Sequence, residues 1–187
     1  MARPKRIPDE TVLDKLLETL AETGPDNLTF QRASAAAGLS AATLVQRFGS
    51  REDMVEATLL FAWDRLDALS RAADAEASLD AEGAIFLLMK LTPADAGEQG
   101  FANSLLLLRE DMRNPVLRAR GAAWGTFLAN ALGRRLAEDK NEACRFGRQM
   151  ASVWQGAQIW WGFTREQPLG TFVRKQLEEW CESMGTT

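Results

Sequence analysis

The sequence predicts an all-α chain, on composition, periodicity and punctuation. Ala and Leu supply 54 of the 187 residues, while Val and Ile together supply nine and Tyr is absent. Strong helix formers dominate and strand formers are scarce. Apolar residues recur at helical spacing in one segment after another, and the segments are bounded by capping residues, glycines and prolines. With 46% apolar and 26% charged residues, the chain has the composition of a globular protein long enough for one or two domains.

Each helix has its own justification. After a basic arm carrying Arg3, Lys5 and Arg6, a first helix is expected over Asp9–Thr23. Leu13, Leu16, Leu17 and Leu20 form its apolar stripe, and Gly24-Pro25 ends it. Thr29 is an N-cap for a short helix to Ala37, Gly38 supplies the turn, and Ser40 caps a second short helix through Arg47. Phe48-Gly49 breaks that helix. Ser50 with Asp53 then approximates a capping box for a long helix to Ala73, with Leu59, Trp63, Leu66 and Leu69 inward. Further helices are expected over Leu79–Leu91 and Phe101–Arg109, separated by a loop from Thr92 to Gly100. Asn114 and Pro115 open one that runs to Glu138, with Leu117, Trp124, Phe127, Leu128, Ala131 and Leu132 as its stripe. Asn141–Thr164 and a helix from Pro168 to Met184 complete the chain.

The absence of histidine excludes Ser-His-Asp and Cys-His nucleophiles, HExxH sites and every His-ligated metal. Cys144 and Cys181 are too far apart in sequence for a CxxC pair, and two lone cysteines fit a reducing compartment. No metal and no cofactor are expected. The adjacent acids Glu110/Asp111 and Glu178/Glu179 point in different directions on a helix, so no catalytic residues and no enzyme are expected. The start of the chain lacks the apolar core of a signal peptide, and the longest pure apolar run, Leu105–Leu108, cannot span a bilayer. A soluble cytoplasmic protein with no membrane partner is the expectation.

Residues 28–55, LTFQRASAAAGLSAATLVQRFGSREDMV, have the helix–glycine turn–helix pattern in which the second helix enters a DNA major groove. Ala33, Ala35, Ala36 and Ala37 permit a close helix crossing. Leu39, Leu44 and Phe48 can anchor the second helix, leaving Ala41, Ala42, Thr43, Gln46 and Arg47 to project. From Asn27 to Arg51 there are three cations (Arg32, Arg47, Arg51) and no acid, in a chain of net charge −4. Such a local positive patch is what phosphate neutralisation requires, and Arg51 also stands at a helix N-terminus. A plain three-helix bundle with solvated arginines would share the pattern.

The run Gly38 to Met54 resembles the tetracycline-repressor (TetR) family signature, roughly G-V-S-K-G-T-L-Y-x-Y-F-x-S-K-E-E-L. Gly38, Ser40, Thr43, Leu44, Phe48, Ser50 and Glu52 match, and Leu39 and Arg51 are conservative. Ala41, Val45 and Arg47 depart from it, at positions that commonly touch phosphate in the family. The resemblance implies a helix-turn-helix DNA-binding domain over residues 1–52 and a ligand-binding and dimerisation domain over 53–187. It implies a transcriptional regulator, a repressor, acting as a homodimer on a near-palindromic double-stranded operator. The candidate DNA-contacting residues are Thr29, Arg32, Ser40, Ala41, Ala42, Thr43, Gln46, Arg47 and Arg51. Gln46 and Arg47 are the candidates for reading bases, amide to adenine and guanidinium to guanine, with phosphate contact as the alternative. The basic arm is a candidate for a minor groove.

All six tryptophans follow residue 60. Core packing explains many of them; a cavity between helices would explain others. The candidate ligand walls are Trp63, Phe86, Met89, Phe101, Leu105, Trp124, Phe127 and Trp154. Without His or Tyr, they suit a small apolar or aromatic effector or a lipophilic cation. The helix from Asn141 has an inward stripe of Phe146, Met150, Val153, Trp154, Ala157, Trp160 and Trp161. An opposite face carries Ser152, Gly156, Ile159 and Phe163, and a helix apolar on two sides needs partners on both. The resemblance implies that this face, with Phe172, Val173 and Trp180 of the last helix, forms the dimer interface; complete burial within one subunit is the alternative. Loss of the lysine and tyrosine phosphate contacts leaves a second reading open, a helical ligand-binding and dimerisation module without sequence-specific DNA binding.

Overall fold

The computed structural model describes residues 7–93 and 97–185; Arg3, Lys5 and Arg6 of the arm lie outside them. Among the described residues the chain is all-α. Its helices are α1 (Asp9–Thr23), α2 (Phe30–Ala37), α3 (Ala41–Phe48), α4 (Arg51–Glu76), α5 (Ala81–Leu91), α6 (Gly97–Arg113), α7 (Pro115–Leu136), α8 (Lys140–Thr164) and α9 (Leu169–Met184), with a 3-10 turn at Pro25–Asn27. None of the described helices is long and apolar enough to cross a membrane. Packing divides the chain into two compact units, residues 1–65 with 97–120, and residues 66–96 with 121–187.

The first unit is built around Val12, Leu16 and Leu20 of α1, which are fully buried with Leu28, Ala33, Leu44 and Met54. The buried stripe of α1 is therefore 12–16–20; Leu13 and Leu17 flank it. Leu39, Phe48 and Trp63 pack partly buried against this core. Helix α6 belongs to this unit and is longer than the sequence predicted at both ends. Gly97 and Gly100 weaken a helix by only about 1 kcal/mol each, which packing against α1 overrides. The buried Asn103 amide of α6 donates to the carbonyls of Ala21 (2.8 Å) and Glu22 (2.9 Å), satisfying the end of α1.

In the second unit, Phe146, Met150, Trp154, Ala157 and Trp161 of α8 are buried, as are Leu169, Val173, Leu177 and Cys181 of α9. Helices α7 and α8 cross with backbones in contact. A Cβ on Gly147 would lie 1.9 Å from the Ala129 carbonyl oxygen, and one on Gly133 would lie 2.2 Å from that of Ala143. Arg135 ties α7 to the end of α4: its guanidinium donates to the Asp74 carboxylate (2.7 Å) and to the carbonyls of Ala131, Asp74, Ala77 and Ser78. Burial would raise the Asp74 pKa, but hydrogen bonds from Arg134 and Arg135 outweigh it and hold the carboxyl below its ordinary value.

Two inward assignments are corrected. Leu69 is exposed, and the buried residues on that part of α4 are Ser70 and Ala73. Steps of 3.6 residues from Leu59 reach 63, 66, 70 and 73, so Leu69 is out of phase. Trp160 is out of phase on α8 for the same reason and is 65% exposed.

Candidate nucleic-acid interface

The local chemistry of residues 29–53 sets α3 on the surface of the first unit. The Arg32 amide donates to Thr29 Oγ1 (3.2 Å), which caps α2. Gly38 ends that helix in the left-handed region, φ 65°, where a Cβ would be strained. The Thr43 amide donates to Ser40 Oγ (3.1 Å), starting α3, and the two hydroxyls lie 2.8 Å apart. The Asp53 amide donates to Ser50 Oγ (3.0 Å) and the Ser50 amide to Asp53 Oδ2 (3.2 Å), so the shorter aspartate completes a reciprocal capping box.

On α3 only Leu44 is fully buried. Ala41, Ala42, Val45 and Gln46 are exposed, Thr43 is half-buried, and Thr29, Arg32 and Ser40 are exposed beside them. The structure therefore brings Thr29, Arg32, Ser40, Ala41, Ala42, Thr43 and Gln46 to the outside of the helix pair. Arg47 departs from the expectation that it projects. Its side chain is 15% exposed, with Nη1 2.9 Å from Asp9 Oδ1 and Nη2 donating to the Ile7 carbonyl (2.8 Å). The expectation counted helical register but not the reach of an arginine back to α1. Arg51 is also turned inward, donating to the Pro25 carbonyl with Glu52 3.6 Å away. A cleft of about 650 Å³ runs beside α3, lined by Asp9, Leu13, Thr43, Gln46, Arg47 and Phe48. Asp9 in this lining had no signal in the 28–55 pattern, because it comes from another helix.

The candidate ligand walls fall in both units: Trp63, Phe101 and Leu105 in the first, and Phe86, Met89, Trp124, Phe127 and Trp154 in the second. In the first, the Trp63 indole donates to Asp111 Oδ1 (3.0 Å). Burial pushes the Asp111 carboxyl up from its ordinary pKa, against the lowering effect of that hydrogen bond. Leu105 is exposed. In the second, Trp124 and Trp154 are brought together, ring centroids 6.3 Å apart at 51°. Their indoles donate to Ser70 Oγ (2.9 Å) and Thr92 Oγ1 (3.0 Å). Lys90 lies 5.1 Å from the Phe86 ring centre and Arg71 5.1 Å from that of Phe127.

Of the candidate interface residues, Ser152, Ile159 and Phe163 are exposed, and Gly156, Phe172 and Trp180 are half-buried. Val173 is fully buried in its own unit and cannot meet a partner. Trp160 joins the exposed face instead, its ring 5.7 Å from that of Phe163, which is 78% exposed.

Fold and site define an all-α protein with an N-terminal helix-turn-helix. Residues 12–58 match the model of the bacterial regulatory proteins of the TetR family. The chain's helix-turn-helix segment is that of the TetR family, and the chain has the fold of its transcriptional regulators. Three solved structures bear that fold out. A TetR transcriptional regulator from Legionella pneumophila is 16% identical, with a TM-score of 0.70 over 95% of this chain and 98% of its own. A transcriptional regulator from Saccharomonospora viridis in complex with choline is 18% identical, TM-score 0.71, over 92% and 94%. The multidrug binding protein EbrR complexed with proflavin is 20% identical, TM-score 0.60, over 91% and 97%. No curated protein matches the chain.

Proposed function

We propose that this DNA-binding regulator is a cytoplasmic repressor that holds a near-palindromic operator as a homodimer and responds to a small hydrophobic or aromatic effector. Residues 1–52 supply the DNA contacts, and residues 53–187 the effector and dimer surfaces. The observation that carries this reading is the outward face of α3. Ala41, Ala42 and Gln46 stand clear of the core on a short helix held by one buried leucine, and small residues let a helix lie deep in a groove. Gln46 is the base-reading candidate, as its amide matches adenine. Thr29, Arg32, Ser40 and Thr43 are the candidates for phosphate; Arg51, bonded to the Pro25 carbonyl, is not among them.

Dimerisation is carried by Ser152, Gly156, Ile159, Trp160 and Phe163 of α8, with Phe172 and Trp180 of α9. An exposed Trp160–Phe163 pair is an apolar patch that a second copy would bury. A two-fold dimer presents two recognition helices and so requires two half-sites. For the effector, the Trp124–Trp154 pair supports an aromatic cation or a quaternary ammonium. Choline and proflavin in two neighbours of the same fold are such cations.

In vitro selection from random duplex DNA, repeated with choline or proflavin present, tests the reading. Enrichment of a near-palindrome that is lost with one of these effectors supports it. Enrichment of no sequence would sink it in favour of a ligand-binding and dimerisation module without sequence-specific DNA binding. The departures at Ala41 and Val45, and the inward turn of Arg47 and Arg51, favour that second reading. Sedimentation showing a monomer at micromolar concentration would remove the two-fold operator.

A further inference from the structure

We propose that Arg47 is a positioning residue, a brace that fixes α3 against the start of α1 and so aims Gln46, without itself touching DNA. The proposal rests on the DNA-binding reading of α3 and deepens it. Helix α3 has eight residues and one fully buried side chain, Leu44, with Leu39 and Phe48 packing partly buried at its two ends, so a further contact on its α1 side bears on how it is turned. The Arg47 guanidinium supplies that contact. Nη2 donates to the Ile7 carbonyl at 2.8 Å and Nη1 lies 2.9 Å from Asp9 Oδ1. The Nη2–Ile7 hydrogen bond fixes direction, while the Asp9 contact is an ion pair that makes no hydrogen bond with the buried Nη1 and adds charge attraction along the same line. Both partners belong to the point where the chain enters α1, since the first helical bond there runs from the Val12 amide to the Pro8 carbonyl. Gln46 precedes Arg47 and lines the same cleft, so the rotation that Arg47 sets is the rotation that points the Gln46 amide.

The test uses the full chain, random duplex DNA and the sequence that the wild type selects from it. The readout is the ratio of affinities for selected and random DNA, measured well below the melting temperature, where a merely structural loss would not move it. Arg47→Ala is expected to lower the ratio by about fivefold, Asp9→Ala by about twofold because the Ile7 carbonyl still accepts from Arg47, and the double variant no further than Arg47→Ala alone. The salt slope of Arg47→Ala on the selected DNA stays that of wild type. A slope reduced by about 0.9 makes Arg47 a phosphate contact and overturns the brace. An unchanged or increased ratio for Asp9→Ala overturns it too, because freeing an arginine that reads DNA would strengthen binding. Hydrogen exchange gives an arm independent of DNA: the Val12 amide, the first one hydrogen-bonded in α1, exchanges faster in Arg47→Ala if the brace exists, and at the wild-type rate if it does not. Failure of the wild type to select any sequence defeats the DNA-binding reading, and the exchange rates alone then decide the brace.

Discussion

Two regions of the molecule tie helices together with an arginine, and they do so to different ends. On α7, Arg135 is 1% exposed in its side chain and donates to one carboxylate and four backbone carbonyls. Beside α3, Arg47 is 15% exposed and has one carbonyl and one carboxylate, and that carboxylate, Asp9, is itself 68% exposed. The first arrangement satisfies carbonyls at and just past the end of α4 through a guanidinium that is itself buried, so its removal leaves part-buried acceptors empty. The second lies nearer the surface, with Asp9 hydrated although Arg47 Nη1 is itself buried. Burial and acceptor count thus separate an arginine that holds the fold from one that orients a surface.

The comparison breaks most sharply at Arg135. Arg135→Ala should cost about 3 kcal/mol of unfolding free energy, because it strands the Ala77 and Ser78 carbonyls and leaves Asp74 with only Arg134. Urea titration checks this; a loss under about 1 kcal/mol would mean that the carbonyls find water. Next comes the α7–α8 crossing beside it. Gly147→Ala places a methyl 1.9 Å from a backbone oxygen, and forcing the helices apart should cost about 1–3 kcal/mol. A neutral result would show that the crossing is free to slide.

Both features expose what the sequence could and could not say. Helix order, caps and the outward face of α3 were legible because capping and amphipathic register are local: Thr29, Ser40 and Ser50 each stand beside the amide they accept from. Leu69 and Trp160 are apolar yet lie out of phase with the buried stripes of their helices, so hydrophobicity alone does not place them. The stripe assignment of Val173 to the dimer face failed similarly, since α9 buries it against its own unit. Arg47, Asp9, Arg135 and Gly147 act across helices far apart in sequence, and no local pattern marks such a partner. Within the candidate site, the sequence therefore supplied the face of α3 but not what anchors its rotation.

A pH titration sharpens the same contrast at smaller scale. Asp74 has its pKa depressed in the fold, so the unfolded chain binds its proton more readily. Its contribution is present above the ordinary carboxylate pKa of about 3.9 and is lost as pH falls through the lower folded value. Arg135→Ala should flatten that acid limb, since it removes one of the two hydrogen bonds that depress the pKa. Wild type and variant with parallel acid limbs would show that Arg134 alone holds the carboxylate.

The smallest effect on stability is expected at Arg47. Exposed ion pairs contribute about 0.2–1 kcal/mol, and Asp9 remains well hydrated when Arg47 is removed. Arg47→Ala should therefore shift the urea midpoint slightly, and the shift should shrink further as salt is raised, because screening weakens a pair that water reaches. Arg135→Ala should keep most of its cost at high salt, since most of its bonds go to backbone carbonyls rather than to charge. If Arg47→Ala proved as costly as Arg135→Ala and as insensitive to salt, the brace would belong to the core. Its geometry beside Gln46 would then be a by-product of folding, with no bearing on how α3 meets DNA.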